Sequence, residues 1–191
     1  MSELHALLSV FDRATFGAIN SGMSHPLWDW IMPQVTSLHW WLPFFVIGIG
    51  WLLLRGGRHG RWCVTMVVLT VGIADLATNR VIKPIVGRVR PCAALPTIVL
   101  RIPCPEGPSF PSSHAVNMAA LATVLTMSYR RWWWMWSSAA LVVGVSRVYV
   151  GVHYPSDVLA GWGIGALVAL FLEKVRQKSA AFIRRRRLRW W

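Results

Sequence analysis

Acidic residues and cysteines are scarce in this chain of 191 residues. Only 7 Asp and Glu stand against 20 Lys and Arg, which gives a formal net charge of +13, and there are 3 cysteines. So few cysteines exclude a small scaffold held together by disulfides. A hydrophobic content of 55% excludes a disordered chain. The basic excess suits either nucleic-acid binding or a membrane protein with basic ends, and the distribution of charge decides between them.

Five apolar segments predict an all-α, integral-membrane helical bundle. They comprise residues 40–54, 62–77, 115–127, 132–145 and 158–172. Several are shorter than the roughly 20 residues that cross a hydrocarbon core of about 30 Å, so we expect polar flanks to extend the helices. Glycines inside the segments favour close helix packing. These glycines are Gly48, Gly50, Gly72, Gly144, Gly161, Gly163 and Gly165.

Residues 3–19 predict an amphipathic helix on the membrane surface, because apolar residues recur there every three to four positions. Asp12 and Arg13 in its middle argue against the alternative, a sixth span. The segment also lacks the basic start and cleavage site of a removed signal peptide. We therefore expect a single domain, with an interfacial helix and linker over residues 1–35, a transmembrane core over 36–172 and a basic tail over 173–191.

Basic residues concentrate in three segments that the alternation of five spans places on one side of the membrane. These are residues 55–61, 130–131 and 174–189. By the positive-inside rule this side is cytoplasmic, so we expect a multi-pass protein of a bacterial inner membrane with a cytoplasmic C-terminus. The tail is expected either to bind anionic lipid or to be merely solvated. Because topology explains these arginines, nucleic acid is not expected as a partner.

Three polar clusters lie at span ends on the opposite, periplasmic side. They comprise residues 83–91, 109–114 and 146–157. In the first and third clusters, Lys83, Arg90 and Arg147 supply cations suited to the oxygens of a phosphate group.

The second and third clusters also carry histidines. Ser112, Ser113 and His114 open a predicted helix, whose free backbone N–H groups favour an anion. His153 and Asp157 are four residues apart, so the carboxylate can hold one imidazole nitrogen and leave the other free. Two histidines in different roles beside fixed cations indicate a phosphoryl-transfer site with a histidine nucleophile.

In chain order these clusters read Lys-x6-Arg-Pro at 83–91, Pro-Ser-x-His at 111–114 and Ser-Arg-x5-His-x3-Asp at 146–157. This sequence resembles the signature of the type 2 phosphatidic acid phosphatase superfamily, over about residues 75–165. The second motif has Ser113 where the family usually has glycine. The resemblance implies a membrane helical bundle and metal-independent dephosphorylation through a phosphohistidine.

The resemblance also implies a role for each motif residue. His153 would be the nucleophile, and Asp157 would orient and polarise it. His114 would protonate the leaving oxygen and then activate water. The phosphate would be bound by Lys83, Arg90 and Arg147, helped by Ser112 and the N–H of Ser113.

No metal or other cofactor is expected, because the sequence has no set of His, Cys or Asp at zinc-ligand spacing. Asp75 and Glu106 lie near the motifs, and we expect structural roles for both. Cys92 and Cys104 fall in the same periplasmic connection, where an oxidising environment permits a disulfide worth on the order of 3 kcal/mol. Their pairing stays open at this stage.

A site at the membrane–water boundary suits a membrane lipid whose phosphate enters laterally. The resemblance implies phosphatases of undecaprenyl diphosphate, phosphatidylglycerophosphate or lipid A, and we favour undecaprenyl diphosphate, a carrier that must be recycled on the outer face. The alternatives are a lipid phosphotransferase with the same site and a catalytically silent lipid-binding protein. A vanadate-dependent haloperoxidase shares the motifs, but those enzymes are soluble and the spans argue against one.

Overall fold

The computed structural model describes residues 2–187, with side chains described for residues 7–182. This part of the chain is built from helices, and no strand occurs in it. The helices are α1 (Ser2–Asn20), α2 (Pro26–Thr36), α3 (Leu38–Arg55), α4 (Gly57–Ala77), α5 (Lys83–Val86), α6 (Pro91–Ala94), α7 (Ser113–Ser128), α8 (Trp133–Tyr149) and α9 (Pro155–Arg187). A π-helical turn, Thr78–Ile82, joins α4 to α5, and a 3₁₀ turn, Arg130–Trp132, precedes α8. The all-α prediction is therefore confirmed.

Helix α7 occupies the centre of the bundle, packed against α4, α8 and α9. Its contact with α9 is close because glycines of α9 face it: a Cβ at Gly165 would lie 2.1 Å from the carbonyl oxygen of Val116. Gly161 faces the start of α7 in the same way, and Gly144 of α8 accommodates the ring of Trp162. Close packing through small residues is thus confirmed at three of the predicted glycines. The others, which have open space around them, are Gly48, Gly50, Gly72 and Gly163.

The long helices have two common ends. At one end, the turn between α3 and α4 meets the end of α7, where the Nε2 atom of His59 lies 3.0 Å from the carbonyl oxygen of Ser128. The basic segments 55–61 and 130–131 lie at this end. The opposite end holds the connection from α4 to α7 and the loop from α8 to α9, which carry the three motifs.

Three helical stretches in the described residues are long and apolar enough to cross a membrane. They are Leu38–Arg55, Gly57–Ala94 and Pro155–Phe182. The other two predicted segments are helical as well, in α7 and α8, but these have 16 and 17 residues. At a rise of about 1.5 Å per residue each spans only about 25 Å. The protein is therefore a helical membrane protein, and the count of five spans stays a prediction.

The N-terminal region differs from the predicted helix and linker. Helix α1 is present, but the expected linker contains a second helix, α2. His25 caps α2 by accepting a hydrogen bond from the N–H of Leu27 (3.2 Å), and Pro26 occupies its first position, where no N–H is needed. In α1, Asp12 and Phe16 are buried against the bundle. The acidic residue that argued against membrane insertion thus faces the interior of the protein.

Candidate active site

All three motifs meet at one end of the bundle, each held by a different local structure. The first begins with the short helix α5, which follows the π-helical turn Thr78–Ile82 and ends at Gly87. Gly87 has a φ of 61°, a left-handed conformation that favours glycine, and its N–H closes the turn on the carbonyl of Lys83 (3.0 Å). The chain reverses there and carries Arg88 and Arg90 back over the bundle end.

Arg90 is buried and aimed at His153. Its Nε donates to the carbonyl of Gly107 (3.0 Å), and its two terminal nitrogens donate to the carbonyls of Val152 and Pro108 (both 3.2 Å). One terminal nitrogen, Nη1, also lies 3.2 Å from Nε2 of His153. These backbone contacts fix the guanidinium in one orientation.

His153 lies in the tight loop between α8 and α9. Gly151 makes this loop possible, since its φ is 91° and a Cβ there would lie 3.2 Å from the carbonyl oxygen of Val99. The loop places the imidazole in the protein interior, with 2% of His153 exposed. Asp157 follows in the first turn of α9 and is fully buried. Its Oδ2 accepts from the N–H of Tyr154 (2.9 Å) and lies 3.4 Å from Nδ1 of His153.

These contacts decide which nitrogen of His153 carries the proton. A guanidinium can only donate, so Nε2 of His153 must accept from Arg90 and carries no proton. The proton of the neutral imidazole is then on Nδ1, which faces the carboxylate of Asp157. Burial lowers the pKa of His153 to about 4, and the hydrogen bond that Nδ1–H donates to Asp157 opposes that shift. At neutral pH the arrangement therefore presents an uncharged imidazole with a lone pair on Nε2, as a nucleophile requires.

Two further cations lie within electrostatic range of Arg90. Arg147, at the end of α8, is 5% exposed, and its Nη1 donates to Oγ1 of Thr36 (2.5 Å). Its Nε is buried and finds no hydrogen-bond partner among the described residues. Lys83 lies within electrostatic range of both Arg90 and Arg147. Buried cations with unused donors are costly unless an anion joins them, so this cluster fits a phosphate group.

His114 reaches the same cleft from α7. Its side chain is exposed and lies within electrostatic range of Arg147, His153 and Lys83. The structure thus brings the two predicted histidines together although 38 residues separate them in the sequence.

The two serines before His114 serve first to build the start of α7. Ser112 caps the helix by accepting from the N–H of Ala115 (3.5 Å), and its own N–H donates to the carbonyl of Asp157 (3.0 Å). The hydroxyl of Ser113 donates to Oδ1 of Asn79 (2.9 Å). No described residue other than glycine has a positive φ, so serine fits without strain where the family usually has glycine. The phosphate contacts of Ser112 and Ser113 stay predictions.

A disulfide between Cys92 and Cys104 closes the loop above the site. Cys104 lies just before Gly107 and Pro108, whose carbonyls hold Arg90. The bond therefore limits the movement of the segment that orients one phosphate-binding candidate. No group of three or more metal-ligating side chains occurs in the described residues.

Arg88 and Asp12 are site residues that sequence reasoning missed. Arg88 donates to Oδ1 of Asp157 (2.7 Å) and pairs with Asp12 of α1. Arg88 lies within the first motif but at an unspecified position, and Asp12 is far away in the sequence. Charge could have indicated the pair, because a carboxylate such as Asp12 in an apolar helix needs a partner. Arg88 was a cation to which no role had been assigned.

Comparisons with known proteins identify the family and its relatives. The sequence profile of the PAP2 superfamily matches residues 62–181. A lipid A 4'-phosphatase of Bacteroides thetaiotaomicron is 31% identical over 160 residues, covering 76% of this chain and 68% of the relative. An undecaprenyl-diphosphatase of Sulfolobus acidocaldarius is 31% identical over 176 residues, covering 87% and 84%. The crystal structure of LpxE from Aquifex aeolicus superposes with a TM-score of 0.73, at 25% identity, covering 85% and 94%.

A buried histidine backed by a carboxylate, beside several cations at one end of the bundle, fits a phosphoryl-transfer enzyme. The chain belongs to the PAP2 superfamily, whose profile covers more than half of its length. It is a lipid phosphatase, a hydrolase of phosphate esters.

Proposed function

We propose that the protein releases phosphate from a membrane lipid phosphate or diphosphate through a phosphohistidine on His153, without a metal ion. The observation that carries this proposal is the state of His153. Its imidazole is buried and neutral, Nδ1 faces Asp157, and the Nε2 lone pair points to Arg90. A nucleophile and its orienting acid are thereby assembled where the cations would hold the reacting phosphorus.

In the first step, Nε2 of His153 attacks phosphorus and the bond from phosphorus to the leaving oxygen breaks. Lys83, Arg90 and Arg147 stabilise the charge on the phosphoryl oxygens, and the first N–H groups of α7 add dipole stabilisation. His114 gives its proton to the leaving oxygen. Asp157 stabilises the positive charge that develops on the His153 ring.

In the second step, water attacks the phosphohistidine. His114, now unprotonated, takes a proton from that water, and the bond between phosphorus and Nε2 of His153 breaks. Inorganic phosphate leaves and both histidines return to their starting states. Every proton is accounted for by the two imidazoles and water, so the residues present are sufficient without a metal.

We place the site on the periplasmic side of an inner membrane crossed five times, with α1 on the membrane surface. The basic segments at the opposite end support this orientation, since they would face the cytoplasm. Exposed tryptophans at both ends support two interfacial belts. They are Trp28, Trp30 and Trp40 towards the site, and Trp62, Trp132 and Trp133 towards the basic end. The C-terminal tail, rich in arginine, would then meet anionic lipid; residues 188–191 lie outside the described part of the chain.

We propose undecaprenyl diphosphate as the substrate. The match covers 84% of the undecaprenyl-diphosphatase of Sulfolobus acidocaldarius and 68% of the lipid A 4'-phosphatase of Bacteroides thetaiotaomicron. Several cations at one site also suit the additional charge of a diphosphate. Hydrolysis would break the bond from the terminal phosphorus to the bridging oxygen and leave the lipid monophosphate.

The test is phosphate release by the detergent-purified protein, in EDTA, from undecaprenyl diphosphate, lipid A, phosphatidylglycerophosphate and phosphatidic acid. His153→Ala is expected to abolish release, and Asp157→Asn to lower it by about 10⁴-fold, by analogy with other acids that orient a histidine. His59→Ala, at the far end of the bundle, is the matched control and is expected to keep full activity. Activity in His153→Ala, or loss of activity in EDTA, would refute the mechanism. Preference for another lipid would correct the substrate, and phosphate appearing on a lipid acceptor would indicate the phosphotransferase.

A further inference from the structure

Arg88 is the cation of the first motif that does not face the phosphate cluster. Its Nη1 donates to Oδ1 of Asp157 and to Oγ of Ser156, both at 2.7 Å, while Nη2 pairs with Oδ2 of Asp12. The guanidinium also lies over the ring of Tyr154, with its Cζ 4.1 Å from the ring centre. These contacts engage both terminal nitrogens of Arg88 within the protein.

The contact with Asp157 completes the anchoring of that carboxylate. Oδ2 of Asp157 is held by the N–H of Tyr154 and faces His153. A carboxylate held through one oxygen can still rotate about its Cβ–Cγ bond. Arg88 binds the other oxygen, Oδ1, and so fixes the plane of the group. The orientation of His153 therefore depends on Arg88 through Asp157.

Asp12 fixes Arg88 in turn. This carboxylate of α1 is 1% exposed; its Oδ1 accepts from the N–H of Ser156 (2.9 Å) and its Oδ2 from the hydroxyl of Ser156 (2.6 Å). One carboxylate thus binds the first turn of α9 and Arg88 together. Because Arg88 is shared by Asp12 and Asp157, its single charge does not fully neutralise Asp157. Asp157 keeps negative charge for the imidazolium that forms when His153 is phosphorylated.

We infer that Arg88 is a positioning residue, fixed by Asp12 of α1, which holds Asp157 in the orientation that supports His153. The N-terminal helix is thereby a structural part of the active site. This inference rests on the proposed roles of His153 and Asp157.

The first experiment compares Asp12→Asn, Arg88→Gln and Arg88→Lys in steady-state phosphate release. Asp12→Asn and Arg88→Gln are expected to lower kcat by about 10- to 100-fold with little change in KM, because misplacement of a catalytic group by about 1 Å costs about that much. Arg88→Lys keeps the charge and is expected to recover part of the rate. Arg13→Gln removes an exposed charge next to Asp12 and should behave as wild type.

The pH dependence of kcat/KM gives a readout that a merely structural role would not move. The charged and titratable groups facing His153 are Arg90, Arg147, His114 and Asp157. Arg88→Gln removes the positive charge that partly neutralises Asp157. The carboxylate then favours protonated His153 more strongly, which moves the acidic limb to higher pH. Asp12→Asn frees more of the Arg88 charge for Asp157 and moves the limb to lower pH. Opposite shifts are the expected signature.

Thermal unfolding identifies any variant that does not fold. If Arg88→Gln fails to fold, the near-isosteric Asp12→Asn and the charge-preserving Arg88→Lys decide. If the folded variants kept both kcat and the acidic limb of the kcat/KM profile, the inference would be overturned. A raised KM at constant kcat would also overturn it, because that result would make Arg88 a phosphate-binding residue. Failure of the proposed function is distinct, because it would show in wild type or in His153→Ala.

Discussion

Replacing Gly165 with alanine is expected to force α9 away from α7. The new Cβ would lie 2.1 Å from the oxygen of Val116 and 2.9 Å from the nitrogen of Ala120. Both are backbone atoms, so no side-chain rotation relieves the contact. Gly163 lies on the same helix, two residues earlier, and has no atom within 4 Å of the corresponding position. It provides a matched control for the same chemical change.

The magnitude follows from the difference between the two variants. Alanine raises helix propensity over glycine by up to about 1 kcal/mol in both. Overpacking at Gly165 alone lowers the free energy of unfolding by about 1–3 kcal/mol. At about 2–4 °C per kcal/mol, Gly165→Ala should melt about 2–12 °C below Gly163→Ala.

Tryptophan fluorescence during heating in one detergent measures this difference. Phosphate release should fall as well, because α7 carries His114 and α9 carries Asp157, and their separation changes the geometry of proton transfer. Equal melting temperatures for Gly165→Ala and Gly163→Ala would refute the close approach of α7 and α9 at this position.

Three other perturbations give equally specific outcomes. Because the pKa of folded His153 is lowered to about 4, kcat/KM should stay high at pH 5–6 and fall below about pH 4. An acidic limb near 6.5, the ordinary pKa of histidine, would contradict a buried neutral imidazole. The same lowered pKa means that, as pH falls, His153 binds a proton in the unfolded chain before it does so in the folded protein. The free energy of unfolding should therefore decrease from about pH 6.5 to about pH 4, and it should decrease less in His153→Ala. Replacing Cys92 and Cys104 by serine should lower the free energy of unfolding by about 3 kcal/mol and slow phosphate release, whereas Cys63→Ser should not slow it. If a reductant changed neither the activity nor the melting temperature of the wild type, that result would argue against the Cys92–Cys104 disulfide.

Local spacing explains why so much of the site could be predicted. His153 and Asp157 are four residues apart on one turn, and Ser112 precedes a helix start, so a linear pattern is enough to relate them. The helical class followed in the same way from uninterrupted apolar segments. Each of these inferences depends on residues that are neighbours in the sequence.

Long-range pairing explains what could not be predicted. Asp12 and Arg88 are 76 residues apart, and nothing in the spacing of either indicates the other. The sequence presents Asp12 only as an argument against a sixth span, because an unpaired acid is unfavourable in an apolar environment. The structure resolves this by pairing it with Arg88. Helix α2 was missed because residues 26–36 are short and contain two prolines, Pro26 and Pro33, although the first of these begins the helix.

The link between α1 and α9 bears on the order in which the active site is assembled during synthesis. Asp12 leaves the ribosome early, and its partner Ser156 follows 144 residues later. Every intervening helix must be made before Asp12, Arg88 and Asp157 can meet. On the proposed roles of His153 and Asp157, the nascent chain would have no supported nucleophile until α9 has begun to form, and α1 and α9 would complete the site together.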